Sequence, residues 1–317
     1  RESRTIACMS EIELHRKLLG DQGRNRAFHA ALKAAITPGQ TTVADLGAGT
    51  GFLSFLARQL GARECWLVEY SDALTLARQL AQANGIDGLK FIEGHSGEID
   101  NPQRVDLVVS ETLGNYALEE GLLETLVDAR RYLKPGGRLM PIGLQQYVAP
   151  VSDPTLQQGI DIWGDVGYSL DLSRAREICL NNLYVRSLHP QQLGAAGQCW
   201  ETLDFRPDAT PPPSQRSGTV HFDGTCGVVH GLALWWVCEL WPGIEISTAP
   251  DAPATHWEQI YLPLLRPVLL THGDRLEITL SSDTRPEVGL RVQWQVRHWR
   301  GDQRLSSQRL DSFKGRL

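Results

Sequence analysis

Over residues 11–36 the apolar positions recur at helical spacing. Phe28, Ala31, Leu32, Ala35 and Ile36 form one stripe, which predicts helix interrupted near Gly20 and Gly23 and ended by Pro38-Gly39. The pattern then changes to short solid apolar runs at Val43–Leu46, Cys65–Val68, Leu89–Ile92 and Val105–Val109. Helical stretches at about 52–60 and 72–83 separate the first three runs. A further helix is expected over about 118–133, stopping at Lys134-Pro135-Gly136-Gly137. Strand and helix alternating in this way predict a parallel sheet covered by helices, because parallel neighbours need a long crossover between them.

Past about Leu139 helical periodicity largely disappears. Runs rich in Val, Leu and Trp at 228–240, 260–270, 275–280 and 288–299 are separated by Pro, Gly and Asp, with a Pro-rich loop at 207–213. This half reads as an antiparallel barrel or sandwich. Residues 155–193 are polar and partly helical, an excursion from it. The 317 residues suit two domains, and 42% hydrophobic with 21% charged residues is the balance of a soluble globular protein.

A net charge of −6 argues against a general phosphate-binding surface, so no direct nucleic-acid binding is expected. The six cysteines (Cys8, Cys65, Cys179, Cys199, Cys226 and Cys238) form no C-x-x-C pair, the pattern of reduced, packed thiols rather than a disulfide frame or metal site. No apolar run approaches the roughly 20 residues of a membrane span. The amino terminus has neither an apolar signal region nor an initiator Met. A cytoplasmic protein whose natural chain starts upstream is therefore expected.

Candidate chemistry begins where the first strand runs into Asp45-Leu46-Gly47-Ala48-Gly49-Thr50-Gly51. Glycines let backbone approach a ligand closely, and the helix that follows presents its positive end. Glu69 closes the next strand, where a carboxylate can accept both hydroxyls of a ribose; a solvated strand end is the bland alternative. Asp45 either contacts the ligand or braces the loop. Spacing of G-x-G-x-G, rather than G-x-G-x-x-G, makes the segment similar to the first motif of class I S-adenosylmethionine-dependent methyltransferases. That resemblance puts the adenine near Gly94-His95-Ser96. Gly97 stands where relatives often carry a Glu, which leaves backbone groups of His95 and Ser96 as the expected contacts.

The fourth strand ends in Ser110-Glu111-Thr112-Leu113-Gly114-Asn115-Tyr116-Ala117-Leu118-Glu119-Glu120. Glu111 and Glu120 are nine residues apart and would face opposite ways on a helix turning about 100° per residue. They converge only if the segment is a loop, for which Gly114-Asn115 supplies the turn chemistry. Two carboxylates suit a guanidinium, whose planar fork of donors pairs bidentately. The pattern resembles the double-glutamate loop of the protein arginine methyltransferases, as Thr255-His256-Trp257 resembles their T-H-W loop. His15-x-x-Leu18-Leu19-x-Asp21-x-x-Arg24 resembles their amino-terminal motif, and Trp163-Gly164-Asp165-Val166 with Tyr168–Leu172 is similar to their dimerisation arm.

The resemblance implies an α/β fold with amino-terminal helices over the cofactor (residues 1–40) and a Rossmann-like domain (41–141). A β-barrel follows (142–317), with a helical dimerisation arm at about 155–193 that makes a homodimer. S-adenosyl-L-methionine would be bound by His15, Arg24, Asp45, Gly47, Gly49, Gly51, Glu69, His95, Ser96 and Glu111, without a metal. Glu111, Glu120, His256 and Asp21 would be catalytic, with Arg24 on the methionine carboxylate and Asp21 orienting His256. Leu18, Leu122 and Trp257 would line the substrate pocket, the two leucines where relatives commonly have methionine. Relatives often carry a Y-F-x-x-Y element before the first helix, but the stretch from Thr5 to Met9 contains no tyrosine. The expected acceptor is arginine in a protein or peptide. A small guanidino compound, a non-arginine acceptor or a catalytically silent scaffold are the alternatives.

Overall fold

The computed structural model describes residues 11–224 and 226–317, so the stretch from Thr5 to Met9 lies outside the described residues. Two helices open the fold, α1 (Glu11–Gly20) and α2 (Gln22–Ala35). The break falls at Asp21 rather than at a glycine. The Asp21 carboxylate accepts the Arg24 backbone N–H and caps α2, while Gly23 lies inside the first turn without breaking it. Arg24, Phe28, Ala31 and Leu32 form the buried face of α2.

There follow β1 (Thr42–Leu46), α3 (Phe52–Gln59), β2 (Glu64–Glu69), α4 (Ala73–Ala83), β3 (Leu89–Glu93), β4 (Val105–Ser110), α5 (Leu122–Asp128) and β5 (Leu133–Met140). The five strands form one parallel sheet in the order β3-β2-β1-β4-β5. Every residue of central β1 is buried, as expected of a strand covered on both faces. Strand order reverses between β1 and β4, and a crevice at the carboxyl ends of two such strands is where open α/β sheets bind ligands.

The helix expected over about 118–133 is shorter than the sequence predicts. It begins only after Gly121, at φ +74°, and a 3₁₀ turn (Ala129–Tyr132) follows it. Lys134-Pro135-Gly136-Gly137 does not end it but lies inside β5. Pairing with β4 slips there, from Val105 opposite Leu133 to Leu107 opposite Arg138. Pro135 has no N–H to offer a ladder and Gly136 takes φ +77°, so these residues bulge out of the strand.

The second half contains β6 (Gly143–Val151), α6 (Pro154–Ile160), α7 (Ser173–Leu180), β7 (Tyr184–Arg186), β8 (Gln198–Asp204), β9 (Gln215–Asp223), β10 (Gly227–Trp241), β11 (Ile244–Ser247), β12 (Gln259–Leu270), β13 (Asp274–Asp283), β14 (Arg291–Arg300) and β15 (Gln303–Asp311). These strands make two antiparallel sheets, β7-β12-β10-β6-β8 with β11 beside β10, and β15-β14-β13-β9. On β13 and β14 burial alternates, with Leu276, Ile278, Leu280, Val292, Trp294 and Val296 turned inward. β10 is buried from Leu232 to Trp236 without alternation, and α2 packs on β10 and β11 as well as on α3. One continuous apolar core therefore joins the two halves, from Phe28 through Leu113 and Trp236 to Trp294.

Candidate active site at the junction of the two halves

At the carboxyl end of β1 the chain turns through Gly47, Gly49 and Gly51, all with positive φ. At Gly49 a side chain is disfavoured by φ +52° and would also push aside the His15 ring, which α1 lays against the loop 2.8 Å from where a Cβ would stand. Glu69, 6% exposed at the end of β2, accepts the Gly49 N–H at 2.9 Å and the Ser71 N–H at 2.8 Å, one on each carboxylate oxygen. It ties the glycine turn to the start of α4 at the sheet's ligand edge, and each oxygen keeps a lone pair for a further donor.

Asp45 belongs beneath this edge. It is 1% exposed and accepts the Ser54 hydroxyl at 2.8 Å, bracing the first turn of α3. Burial, helped by the Glu69 charge, pushes its carboxyl up to about 7. The geometry assigns Asp45 the bracing role of the two that the sequence left open, in place of direct ligand contact. At the end of β3, His95 Nδ1 accepts the Gly97 N–H, and the Ser96 carbonyl is occupied by the Tyr132 hydroxyl at 2.6 Å and by Arg131. The Ser96 carbonyl is thus already committed within the protein. Tyr70, 71% exposed directly after Glu69 and 6.1 Å from the His95 ring, adds an aromatic surface on this side that the sequence reading did not single out.

Glu111 leaves the end of β4 and is clasped by Arg24, whose Nε donates to it at 2.7 Å and whose Nη2 binds the same oxygen. Both side chains are buried. Arg24 and Glu111 are both expected at the cofactor, Glu111 also as a catalytic group, but nothing in the sequence pairs the two as one buried ion pair. The loop then folds on itself through a bridge between Gly114 and Ala117. Glu119 turns inward, accepting the Tyr116 N–H at 2.7 Å, and lies so close to Gly114 that a Cβ there would meet its carboxylate.

Glu120 is the neighbour left to face outward. It is exposed by area, yet protein crowds it enough that loss of water, with the charges of Glu111 and Glu119, pushes its carboxyl up to about 7. A nearby cation would reverse that shift.

Across the junction, the loop before β12 brings His256 to α2. The Asp21 oxygen that is not capping the helix accepts the His256 N–H at 3.0 Å and contacts the ring Nδ1 at 2.8 Å. Burial alone would raise the Asp21 carboxyl, but hydrogen bonds from Arg24 and His256 outweigh it and hold the group below its ordinary value.

Trp257 does not line a pocket. It is 2% exposed, donates its indole N–H to the Leu113 carbonyl at 2.6 Å, accepts the Asn115 amide, and packs edge-on against Trp236. Trp236 in turn donates to the Gly114 and Asn115 carbonyls. The two indoles clamp residues 113–115 from behind, satisfying backbone carbonyls that burial would otherwise orphan. Leu122, fully buried at the start of α5, is also a core residue and not a pocket wall. Of the three residues expected in the pocket, Leu18 alone is partly exposed.

Comparison with known proteins agrees with the fold. A family model described as a methyltransferase domain matches residues 39–153, and one described as the arginine methyltransferase oligomerization subdomain matches residues 145–298. Protein arginine N-methyltransferase 6 of Xenopus laevis is 30% identical over 304 residues, covering 88% of this chain and 87% of that protein. Histone-arginine methyltransferase CARMER of Drosophila yakuba is 28% identical, covering 84% of this chain and 53% of its own length. Among solved structures, the Trypanosoma brucei PRMT1 enzyme-prozyme heterotetrameric complex with AdoHcy aligns with a TM-score of 0.83 at 23% identity, over 94% of this chain and 97% of that one. Arabidopsis thaliana protein arginine methyltransferase 10 aligns at 0.79 and 22%, over 94% and 97%.

The parallel sheet, glycine turn and acidic strand end define a class I S-adenosylmethionine-dependent methyltransferase. More narrowly, the chain belongs to the protein arginine N-methyltransferase family. Its own residues fit the cofactor of that family. The side-chain-free turn at Gly49 and the Glu69 carboxylate meet at one edge, and the Arg24 guanidinium lies at the end of β4. Glu69→Ala is expected to weaken S-adenosylhomocysteine binding by about 1–3 kcal/mol in calorimetry, the scale of lost charged hydrogen bonds. Unchanged affinity would remove Glu69 from the site.

Proposed function

We propose that this chain methylates a guanidino nitrogen of arginine in a protein or peptide, with Glu111 and Glu120 receiving the guanidinium. One observation carries the reading. A single loop brings two glutamates to the cofactor end of the sheet, one matched by Arg24 and the other with no cation against it among the described residues and its carboxyl pushed up to about 7. An arginine side chain is a partner that offsets that repulsion while pairing in parallel with carboxylates.

Bound S-adenosylmethionine supplies a methyl group already activated by its sulfonium, so positioning and electrostatics carry the rest. Glu69, the glycine turn, Arg24 and His15 hold that cofactor. Glu120 accepts guanidinium N–H bonds and draws positive charge away from the attacking nitrogen. Asp21 holds the His256 Nδ1–H, which leaves Nε2 as the basic nitrogen for the released proton.

Because Glu120 works ionised and burial raises its pKa, kcat/KM for an arginine peptide should climb as pH rises through about 7. Rates measured between about pH 5.5 and 8.5 check this, and a flat profile over that range would count against the assignment.

The protein is further read as a cytoplasmic homodimer, in which the two antiparallel sheets are the two sides of one barrel. Free cysteines, among them exposed Cys199 and Cys226, suit a reducing compartment. The arm between α6 and α7 exposes Ile162, Val166, Tyr168 and Leu170, while the first half carries an apolar recess of about 230 Å³ lined by Leu19, Phe52, Phe55, Leu56, Leu80 and Ile86. Two unlike patches on one chain can be covered twice over in a closed dimer. Light scattering should report twice 35.2 kDa. Tyr168→Ala with Leu170→Asp should give monomers with little activity. This pair of changes is cleaner than deleting the arm, because Ile160 and Leu180 at its base belong to the core. A wild-type monomer at all concentrations would defeat the dimer.

A further inference from the structure

The loop that carries the two glutamates is held at its entry by β4, but its exit is weakly defined from within. α5 starts two residues after Glu120, and Gly121 at its cap position offers no side-chain cap. Leu118, Leu122 and Leu123 bury this end in the core, and the polar side-chain anchors that orient it come from the second half of the molecule. Glu124, in the first turn of α5, accepts the hydroxyls of Ser214 and Thr284, each at 3.0 Å on the same oxygen. Ser214 ends the Pro-rich loop and Thr284 follows β13, and their backbones are themselves hydrogen-bonded.

Behind them lies a buried ion pair that the site described so far does not use. Arg216 on β9 binds Glu201 on β8 at 2.6 Å, with the two side chains only 6% and 7% exposed. The other guanidinium donors of Arg216 reach the Pro213 carbonyl at 2.8 Å, Ser282 at 3.1 Å and Thr284 at 3.3 Å. The second oxygen of Glu201 accepts the buried Gln146 amide at 2.7 Å. A continuous polar chain thus runs from β6 and β8 in one antiparallel sheet, through β9 and β13 in the other, to the first turn of α5. The charge of Glu201 is also felt in the middle of the glutamate loop. Tyr116 is 2% exposed, and its hydroxyl is pushed above the ordinary tyrosine range by burial first and then by the Glu201 charge.

A buried ion pair gains little over apolar packing, and its best-attested use is to specify one geometry. An enzyme that must present a carboxylate within a fraction of an ångström has such a use for it, since misplacement by about 1 Å can cost 10²-fold in rate. We infer that Glu124, Arg216 and Glu201 are positioning residues that fix the exit of the glutamate loop, and with it the Glu120 carboxylate, against both sheets of the second half. The role of Glu120 in acceptor binding rests on the function proposed above, whereas the mechanical coupling does not.

The test compares Glu124→Ala, which removes the acceptor of both hydroxyls, with Glu124→Gln, which keeps an amide oxygen for them. Steady-state kinetics on an arginine peptide, calorimetry with S-adenosylhomocysteine and amide hydrogen exchange are the three readouts. Glu124→Ala should lower kcat/KM for the peptide by about 10-fold or more, leave S-adenosylhomocysteine affinity within about twofold, and speed exchange over residues 114–124 but not over residues 47–51. Glu124→Gln should restore all three to within about threefold of wild type. Should Glu124→Ala fail to fold, Ser214→Ala and Thr284→Val delete the donors one at a time and carry the same comparison.

Wild-type kinetics and wild-type exchange at 114–124 in these variants overturn the inference, as does faster exchange spread equally over 47–51, or failure of the Gln variant to rescue. If the wild-type protein does not methylate arginine at all, the proposed function falls, and the exchange comparison alone decides the positioning role.

Discussion

Glu120→Gln is expected to lower kcat for arginine methylation by at least about 10²-fold while S-adenosylhomocysteine affinity stays close to wild type. Gln has nearly the shape of Glu but cannot carry the charge that stabilises a guanidinium as it loses a proton. The separation of effects follows from where Glu120 lies. The loop around it is held by other groups, Glu119 on the Tyr116 N–H and the Trp236 and Trp257 indoles on residues 113–115, so its fold does not depend on the Glu120 charge. Glu111→Gln is a less clean experiment, because Glu111 is the buried partner of Arg24 and its neutralisation disturbs both. Initial rates with calorimetry on the same preparations check the expectation. A Gln variant that turns over normally removes Glu120 from the chemistry.

The largest effect on stability is expected at that same ion pair. Arg24→Ala should destabilise the fold by about 3–5 kcal/mol, because it strands the Glu111 carboxylate in a site where its side chain is 4% exposed. It should also weaken S-adenosylhomocysteine binding through loss of the guanidinium. Adding Glu111→Gln to Arg24→Ala should recover part of the lost stability, since the stranded charge goes with it. Urea unfolding of the two single variants and the double variant measures the coupling. A double variant as unstable as the sum of its parts would mean that the pair is not coupled.

Much of the fold could be read from apolar spacing, because β1, β2 and β4 are short, largely buried apolar runs and a parallel sheet covered on both faces demands such runs. Features that depend on which way a side chain points were not legible. Trp257 and Leu122 stand at the positions the motifs suggest, but both are buried structural residues. A motif fixes an address and not an orientation. Pro135-Gly136-Gly137 reads as a helix stop and is a strand bulge, because Pro and Gly punctuate both. The break at Asp21 was blurred by the glycines around it, although an Asp followed three residues later by the N–H it caps is a local signal.

The pairs Arg24–Glu111 and Glu201–Arg216 had no local signature of burial. Arg24 and Glu111 lie 87 residues apart in the chain. Glu201 and Arg216 are strand residues whose inward direction only the sheet pairing decides. Glu120 rather than adjacent Glu119 is singled out by the resemblance to the double-glutamate motif, and the structure adds the physical reason, the Tyr116 N–H that turns Glu119 into its own loop.

The most direct test of the account is to find which atom receives the methyl group. The protein is incubated with methyl-labelled S-adenosylmethionine and either an arginine-rich peptide or the same peptide with every arginine replaced by lysine, followed by complete hydrolysis and identification of the labelled amino acid. The account predicts label in methylated arginine from the first peptide, almost none from the second, and loss of the signal in Glu120→Gln. Label recovered in lysine or at a carboxyl group, or equal labelling by the Glu120→Gln variant, would contradict it.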